Sequence, residues 1–559
     1  MRLASLILAI ALCVWSQFGQ GQVPGPPNVI LVLIDDMGWS DVGAFGGEIE
    51  TPHIDRLAAG GLRFTQFHTT AKCFPSRAAL LTGRYPEQVG MDESPTGVIR
   101  DSITIAQALG AAGYRTLMVG KHHGGDHPLD LGFERFAGLR GGASNHFNPG
   151  VAARPGEPEP ARKTYMAPKG RWWCFDRQCV QGYAPQRKDF HTTDAYTDWV
   201  LDLLTEQARD PSPFFLYLAY QAPHDPLQAW PADIERYLER YEAGYAAVAD
   251  ARYRRMLETG LIDARYPRST PTYRDWTSLA LDEQREQARR MAVYAAMIDH
   301  VDRSLGRLIA HLERSGKLDQ TLILFTSDNG ASAEFVPAAT GEGEIGEHHP
   351  IGSVGRWATL GGDWANVANT PFRHYKNHPF EGGAASPLIA HWPDGIREPG
   401  RVVSANAHLI DLFPTLLSVT GARKTGAAAG LLAESPRLEG IDLSAYFQSS
   451  DPIERPQPVF QRWGLGRSVR TDRWKLLSQA TARESSLQLF LRWRAQQAEA
   501  SEPSKPPATP PVEHGDWQLY DMSADRTETT DVAKRHPQVV ARLTAAYDDW
   551  LKRVKPDSE

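Results

Sequence analysis

Two acidic pairs in this sequence stand just beyond apolar runs. Asp35-Asp36 follows Asn28–Ile34, and Asp328-Asn329 follows the run Thr321–Thr326. Hard oxygen donors collected at two strand ends suit Ca²⁺ or Mg²⁺ rather than zinc. No Cys/His spacing of a zinc site accompanies them. Either pair alone also fits a helix cap, but the repeated pattern favours a metal. Between the pairs lies a nucleophile candidate, Cys73, in Thr69-Thr70-Ala71-Lys72-Cys73-Phe74-Pro75-Ser76-Arg77. That stretch is polar and broken by proline, unlike the core run in which a free cysteine sits as a small hydrophobe. Basic groups recur at Lys121 and His123 in Gly120-Lys-His-His-Gly124, at His224 in Ala222-Pro-His-Asp-Pro226, and at Lys376. Each alone passes for a solvated lysine or a loop histidine.

Ligand sites of parallel α/β sheets lie beyond the carboxyl ends of the strands, so the surrounding elements decide whether these residues meet. Asn28–Ile34 is a continuous β-rich apolar run, the pattern of a strand buried on both faces, and Thr116–Gly120, Phe214–Tyr220 and Thr321–Thr326 repeat it. Helical segments separate them: Ser76–Thr82 and onward, Ile103–Ala112, Thr193–Ala208 and Met291–Ser315. In the last, Met297, Val301, Leu305, Leu308 and Leu312 fall at helical spacing and are expected in the core. Strands alternating with helices predict a wound α/β sheet. Residues 230–290, rich in Tyr, Arg and Glu, are expected to form helical excursions over it.

Beyond residue 455 the pattern changes to short strand-like pieces at Pro458–Trp463, Arg467–Thr471 and Trp474–Leu477. A polar helix-like stretch and a proline-rich tract follow within 480–515. Trp517–Asp521 and an amphipathic helix over Pro537–Val554 close the chain. The expected division is a large domain over 24–455 and a smaller antiparallel sheet with a packing helix over 456–559.

Cys73-x-Pro-Ser-Arg77, continued by Ala78-Ala-Leu-Leu-Thr-Gly-Arg84, resembles the signature of the sulfatase family. The resemblance extends to a Gly-Lys-x-His element at Gly120–His123, to Pro223-His224 and to Ser327-Asp-Asn-Gly330. Thr370-Pro-Phe-Arg373 with Lys376 and Glu381-Gly-Gly383, and Trp517–Asp521 with Asp525–Glu528, are similar to the bacterial arylsulfatase branch. It implies an alkaline-phosphatase-like α/β fold, hydrolysis of sulfate esters, and one calcium held by Asp35, Asp36, Asp328, Asn329 and residue 73. It further implies that a formylglycine-generating enzyme oxidises Cys73 to formylglycine, whose hydrate attacks sulfur with help from Asp328. In that scheme Arg77 steadies the hydrate and the metal site, while Lys121, Lys376 and His224 hold the sulfate. His224 or Lys376 protonates the leaving alcohol, and His123 is the base for sulfate release.

Two departures stand out. The family's aromatic and aliphatic neighbours of the catalytic histidine are His122 and Gly124 here, so His122 competes with His123 for its place. The two are expected to point to opposite sides of an extended segment. The turn Arg462-Trp-Gly-Leu-Gly466 replaces an acidic one and bears on the substrate pocket. The alternatives are a phosphonate monoester or phosphodiester hydrolase on the same scaffold, and an inactive sulfatase-like binding protein.

Composition limits the partners. Of 559 residues, 42% are hydrophobic and 23% charged, an ordinary globular balance. The 60 basic and 67 acidic residues give a formal charge of −7, without a long Lys/Arg run, which argues against nucleic acid. The expected partner is a small-molecule or carbohydrate sulfate ester. Residues 1–21 have the form of an export signal, with Arg2, an apolar Leu3–Trp15, and small Gly19 and Gly21. That apolar run is shorter than the about 20 residues of a membrane span, so the mature chain is expected in the periplasm or outside the cell. In an oxidising compartment Cys174 and Cys179 can close a small loop, leaving Cys73 as the odd cysteine. Gly141-Gly142 and Trp172-Trp173 are candidates for the wall of an aromatic or sugar subsite, although aromatic pairs are more often packing.

Overall fold

The computed structural model describes residues 25–163, 168–333, 344–463, 466–480 and 514–555. The expected signal over 1–21 and nearly all of the stretch 480–515 lie outside them. A large mixed sheet runs in the order β10 (Val402–Val403), β2 (Leu62–His68), β9 (Ala385–His391), β8 (Thr321–Ser327), β1 (Asn28–Asp35), β7 (Phe214–Pro223), β3 (Arg115–Lys121), β4 (Arg135–Leu139), β5 (Trp172–Phe175) and β6 (Gln178–Gln181). β11 (Ala407–His408) also pairs with β2. β1 lies parallel to β7 and β8, with Val29 opposite Phe215 on one side and Leu322 on the other, and β3 continues the parallel set beside β7. β9 runs antiparallel to both β8 and β2.

The unbroken apolar run of β1 has a simple cause: its alternate side chains enter two different cores. Ile30, Val32 and Ile34 pack towards Met297, Val301, Leu305, Leu308 and Leu312, the expected stripe of the long helix Leu281–Arg314. Val29, Leu31 and Leu33 pack on the other face with Leu80, Leu81, Leu109 and Leu416, from the helices Cys73–Thr82, Ile105–Ala111 and Leu412–Val419. Each such buried side chain contributes ~1.5–3 kcal/mol.

The long helix begins at Leu281, earlier than the apolar periodicity from Met291 predicts. Ion pairs such as Arg274–Glu283 and Arg290–Glu344 hold its first turns, and these leave no apolar signal. The excursions expected over 230–290 are the helices Pro231–Glu235, Leu238–Tyr241 and Gly244–Glu258, with Tyr237, Tyr241 and Tyr245 buried among them.

A separate antiparallel sheet follows, in the order β12 (Val459–Trp463), β13 (Gly466–Arg470), β14 (Trp474–Gln479) and β15 (Gln518–Asp521). The helix Pro537–Val554 covers it, and Trp550 stacks on Phe460 at 5.0 Å. A buried ionic cluster joins this sheet to the large one. Lys475 of β14 lies 2.8 Å from Glu381 and 2.7 Å from Glu528, and His68 at the end of β2 lies 3.1 Å from Glu381. The fold is therefore the expected α/β type, a wound sheet between helices with a small antiparallel sheet and helix appended.

Cys174 and Cys179 face each other across β5 and β6 and form a disulfide. The Trp172-Trp173 pair does not make a joint subsite wall. The strand pleat sends Trp173 into the core against Tyr183 and Tyr196, while Trp172 stays 47% exposed. Among the described residues, no helix is long and apolar enough to cross a membrane.

Candidate active site

Four adjacent parallel strands, β8, β1, β7 and β3, deliver the site residues at their carboxyl ends. Asp328-Asn329 follow β8, Asp35 ends β1 with Asp36 next, His224 follows β7, and Lys121 ends β3 with His123 just beyond. Because the strands run the same way, residues distant in sequence arrive at one edge. Cys73 and Arg77 come from the helix Cys73–Thr82, and Lys376 from the loop ahead of Glu381.

Each residue of the cysteine motif has a visible task. Cys73 is the first residue of its helix, at the end where unpaired N–H groups concentrate positive charge. Pro75 lies in the first turn, where a missing N–H removes no helical bond. The Ser76 hydroxyl accepts from the Thr70 N–H at 3.1 Å and closes the preceding loop. The stretch reads as polar and unlike a core run, yet Cys73 is only 2% exposed and its helix is buried throughout. The polar groups around it are consumed in internal hydrogen bonds. Burial pushes the Cys73 thiol pKa up, while Lys376 and Lys121 draw it down.

Arg77 knits the site. Its Nε and Nη2 lie 3.0 and 2.8 Å from Asp328 Oδ2, and Nη1 donates to the Lys121 carbonyl at 2.8 Å. Lys121 Nζ pairs with Asp35 Oδ2. Lys376 Nζ reaches the Asp36 oxygens at 2.8 and 3.0 Å, and Asn329 Nδ2 donates to Asp36 Oδ1 at 2.7 Å. Burial and the nearby Asp35 charge push the Asp328 carboxyl up to about 7. Against its own burial, Asp35 is held below the usual carboxylate range by Lys121, His224 and Arg77.

Three buried carboxyl groups in contact with one another's partners invite a further cation. Asp35 Oδ1 and Asn329 Oδ1 are buried and accept no hydrogen bond, the former having only the Arg77 guanidinium at 3.7 Å, so a hard ion would find two oxygens open to it. Asp36 and Asp328 add carboxylate oxygens, completing the donor chemistry that calcium takes. Asp35, Asp36 and His224 also present atoms within 4.8 Å of one another, but the oxygen-rich set favours a hard ion over zinc. The residues present fit calcium.

The two adjacent histidines part company. β3 ends at Lys121, so no strand pleat separates them; instead His123 adopts φ 66°, in the left-handed region. Asp36 is held at the same φ 66°. Such conformations cost a non-glycine residue ~1–2 kcal/mol and gather at functional sites. The charges acting on His123 are Lys121, Arg77, His224 and Lys376, which together with burial depress its pKa strongly. Those acting on His122 are Arg140, Arg77 and His127, and burial with these brings it to about 3. Arg77 thus acts on both rings, and Lys121, His224 and Lys376 act on His123 besides. Phe74 packs 5.8 Å from the His123 ring, and a Cβ on Gly142 would lie 2.5 Å from His123 Nε2. Gly142 therefore matters through the space it leaves for that imidazole.

Sequence reasoning assigns no role to several neighbours. Asp225 sits 3.0 Å from His224 Nδ1, and Lys163 and Trp357 both reach Asp225. An acid beside a histidine was the available signal for Asp225; nothing in the sequence marks the other two. Trp463 of β12 donates to Asn377 at 2.9 Å and packs 5.2 Å from Phe74, so the small sheet touches the loop of Lys376 and the helix of Cys73.

Comparison with known proteins identifies the family. The profile of the sulfatase family matches residues 27–422. The chain is 33% identical to an arylsulfatase of Klebsiella aerogenes, over 75% of this chain and 91% of that protein. It is 30% identical to an uncharacterized sulfatase of Schizosaccharomyces pombe, over 94% and 93% of the two lengths. Among solved structures it resembles Ps i-CgsB in complex with k-i-k-neocarrahexaose, with a TM-score of 0.63 and 24% identity over 94% of this chain and 92% of that one. Likeness at that identity speaks for the fold alone. The family profile spans β1, β3, β7 and β8 with the acidic and basic residues at their ends, and the chain belongs to the sulfatase family of sulfuric ester hydrolases.

Proposed function

We propose that this protein hydrolyses aryl or carbohydrate sulfate esters, releasing alcohol and inorganic sulfate, after export and after a maturation enzyme converts Cys73 to formylglycine. The observation that carries this reading is the convergence of the Cys73 helix end, three buried carboxyl groups and the cations Arg77, Lys121 and Lys376 on one sheet edge. The aldehyde at position 73, when hydrated, supplies a nucleophilic hydroxyl and a second hydroxyl through which the bound sulfate can later be expelled. Asp35, Asp36, Asp328 and Asn329 would hold calcium, which supplies positive charge against the sulfate oxygens.

The chain's own residues do the rest. Lys121, Lys376 and His224 hold and orient the sulfate anion, each contact being worth ~2–4 kcal/mol in the transition state. Asp328 accepts the proton of the attacking hydroxyl, and Arg77 keeps that carboxylate aimed. Protonation of the leaving oxygen falls to His224, whose Nε2 faces Asp36 Oδ2 at 3.6 Å. His123 takes the proton that sulfate release requires. Mass spectrometry of the Cys73 peptide, from protein made with a formylglycine-generating enzyme, tests the first requirement. Rates on an aryl sulfate and an aryl phosphodiester test the second. An unmodified thiol in active protein, or a preference for the phosphodiester, would overturn this reading.

A further inference from the structure

The imidazole of His224 is held from behind by a carboxylate that the sequence places next to it. Nδ1 lies 2.8 Å from the Asp225 carbonyl and 3.0 Å from Asp225 Oδ1. The other oxygen, Oδ2, receives Lys163 Nζ at 3.0 Å and the Trp357 indole N–H. Lys163 also lies 4.6 Å from the Trp357 ring centroid. Asp225 is 6% exposed, so each of its oxygens is committed to a named partner in a nearly dry setting.

Lys163 and Trp357 come from segments far apart in sequence, and those segments are braced on each other. Asn145 Nδ2 donates to the Val354 carbonyl at 2.8 Å and to the Ala161 carbonyl at 3.2 Å, and Ala161 N–H donates to Val354 at 2.9 Å. Two long loops thus converge on a single carboxylate. A mere loop clamp would not need that carboxylate's remaining oxygen on a histidine whose opposite nitrogen faces the site.

We propose that Asp225, locked by Lys163 and Trp357, is a positioning residue that commits His224 Nδ1 to a hydrogen bond and so reserves Nε2 for the leaving oxygen. The proposal rests on the reading of His224 as proton donor. In that step the S–O bond breaks with its electron pair going to the bridging oxygen, which takes the Nε2 proton and leaves His224 neutral with Nδ1–H intact. An imidazole without the rear carboxylate can rotate or present the wrong tautomer, as orienting carboxylates behind catalytic histidines generally prevent. Lys163 and Trp357 keep the carboxylate from turning away and offset its burial.

The test compares Asp225→Asn, Lys163→Met, Trp357→Phe and His224→Gln on a series of sulfate esters from 4-nitrophenyl sulfate to an alkyl sulfate. Imidazole ¹⁵N spectra of unmatured protein, with His224 assigned from its Gln variant, provide a second readout independent of turnover. General acid catalysis is worth about 10²–10⁴-fold, and a poor leaving group needs it most. Asp225→Asn is expected to lose about 100-fold in kcat/KM on the alkyl ester but under about 10-fold on the nitrophenyl ester. In the same variant the backbone carbonyl of residue 225 still accepts from Nδ1–H, so that signal should persist but shift upfield as the carboxylate acceptor is lost. Lys163→Met and Trp357→Phe should steepen the series less, and the double variant of Asp225 and His224 should be no steeper than His224→Gln alone.

A uniform fall across the series in Asp225→Asn, beside a steep one in His224→Gln, would overturn the positioning role and leave the hydrolase reading intact. So would an unchanged Nδ1–H signal. A flat series in His224→Gln would overturn the proton-donor role together with this proposal, while sulfate turnover itself persists.

Discussion

Arg77 grips one oxygen of Asp328 with two nitrogens, at 3.0 and 2.8 Å, in a place where both side chains are almost wholly buried. The third nitrogen holds the Lys121 carbonyl at 2.8 Å, so one guanidinium links the ends of β8 and β3. An ammonium cannot reproduce that fork. Arg77→Lys is expected to lower kcat/KM on an aryl sulfate by at least about 100-fold. Arg77→Met leaves Asp328 uncompensated beside Asp35 and should cost ~3–5 kcal/mol of stability. Paired kinetics and thermal melts check both, and a Met variant as stable as the wild type would contradict the geometry.

Cys73→Ala should abolish turnover while leaving the melting midpoint nearly unchanged, since a small buried group is lost at a cost of ~1 kcal/mol and no carboxylate is touched. Cys73→Ser cannot become the aldehyde and should support at most one slow event per site. Sustained multiple turnovers by either variant would rule out the aldehyde for this protein.

Calcium should stabilise the fold as well as serve the reaction. At a hundred times its Kd the ion would add about 2.7 kcal/mol, so chelation should lower the midpoint and added calcium restore it. Asp36→Ala removes an acceptor of both Lys376 and Asn329, so it should melt lower and lose the calcium response. Calorimetry with and without the ion measures this. A wild type whose midpoint ignores calcium would not carry the proposed site.

The adjacent histidines should separate kinetically. His123→Ala is expected to release one alcohol per site in a burst and then stall, because the proton for sulfate release has no acceptor. The Gly-Lys-x-His register puts His122 at the variable place, and His122→Ala should turn over steadily. Stopped-flow traces that showed the burst in His122→Ala instead would reverse the assignment.

Gly142→Ala isolates the space around that same imidazole. A Cβ would stand 2.5 Å from His123 Nε2, so the ring must shift. Misplacement by about 1 Å can cost about 100-fold in rate, and the expected signature is a lower kcat with a near-normal melt. An unaffected rate would mean that the His123 ring has room to relax.

The sequence was most legible where local physics decides. β1, β3, β7 and β8 appear as apolar runs because strands buried on both faces have no polar side, and the helix Pro537–Val554 appears because one of its faces is solvated. That Asp35, Asp36, Asp328 and Asn329 meet at one sheet edge was legible because each pair directly follows such a strand. The start of the long helix at Leu281 was less legible, since its first turns are held by ion pairs to residues elsewhere.

The chain by itself determined the family, the parallel core strands and the residue types gathered at their ends, because periodicity and motif spacing are local properties. Tertiary structure alone set His123 in a left-handed backbone with its ring beside Phe74 of the Cys73 helix. It alone brought Lys163 and Trp357 onto Asp225 behind His224, and Trp463 against Phe74. Those contacts join segments separated by scores to hundreds of positions, and their partners are chosen by the packing of long loops, which carries no local periodic signal.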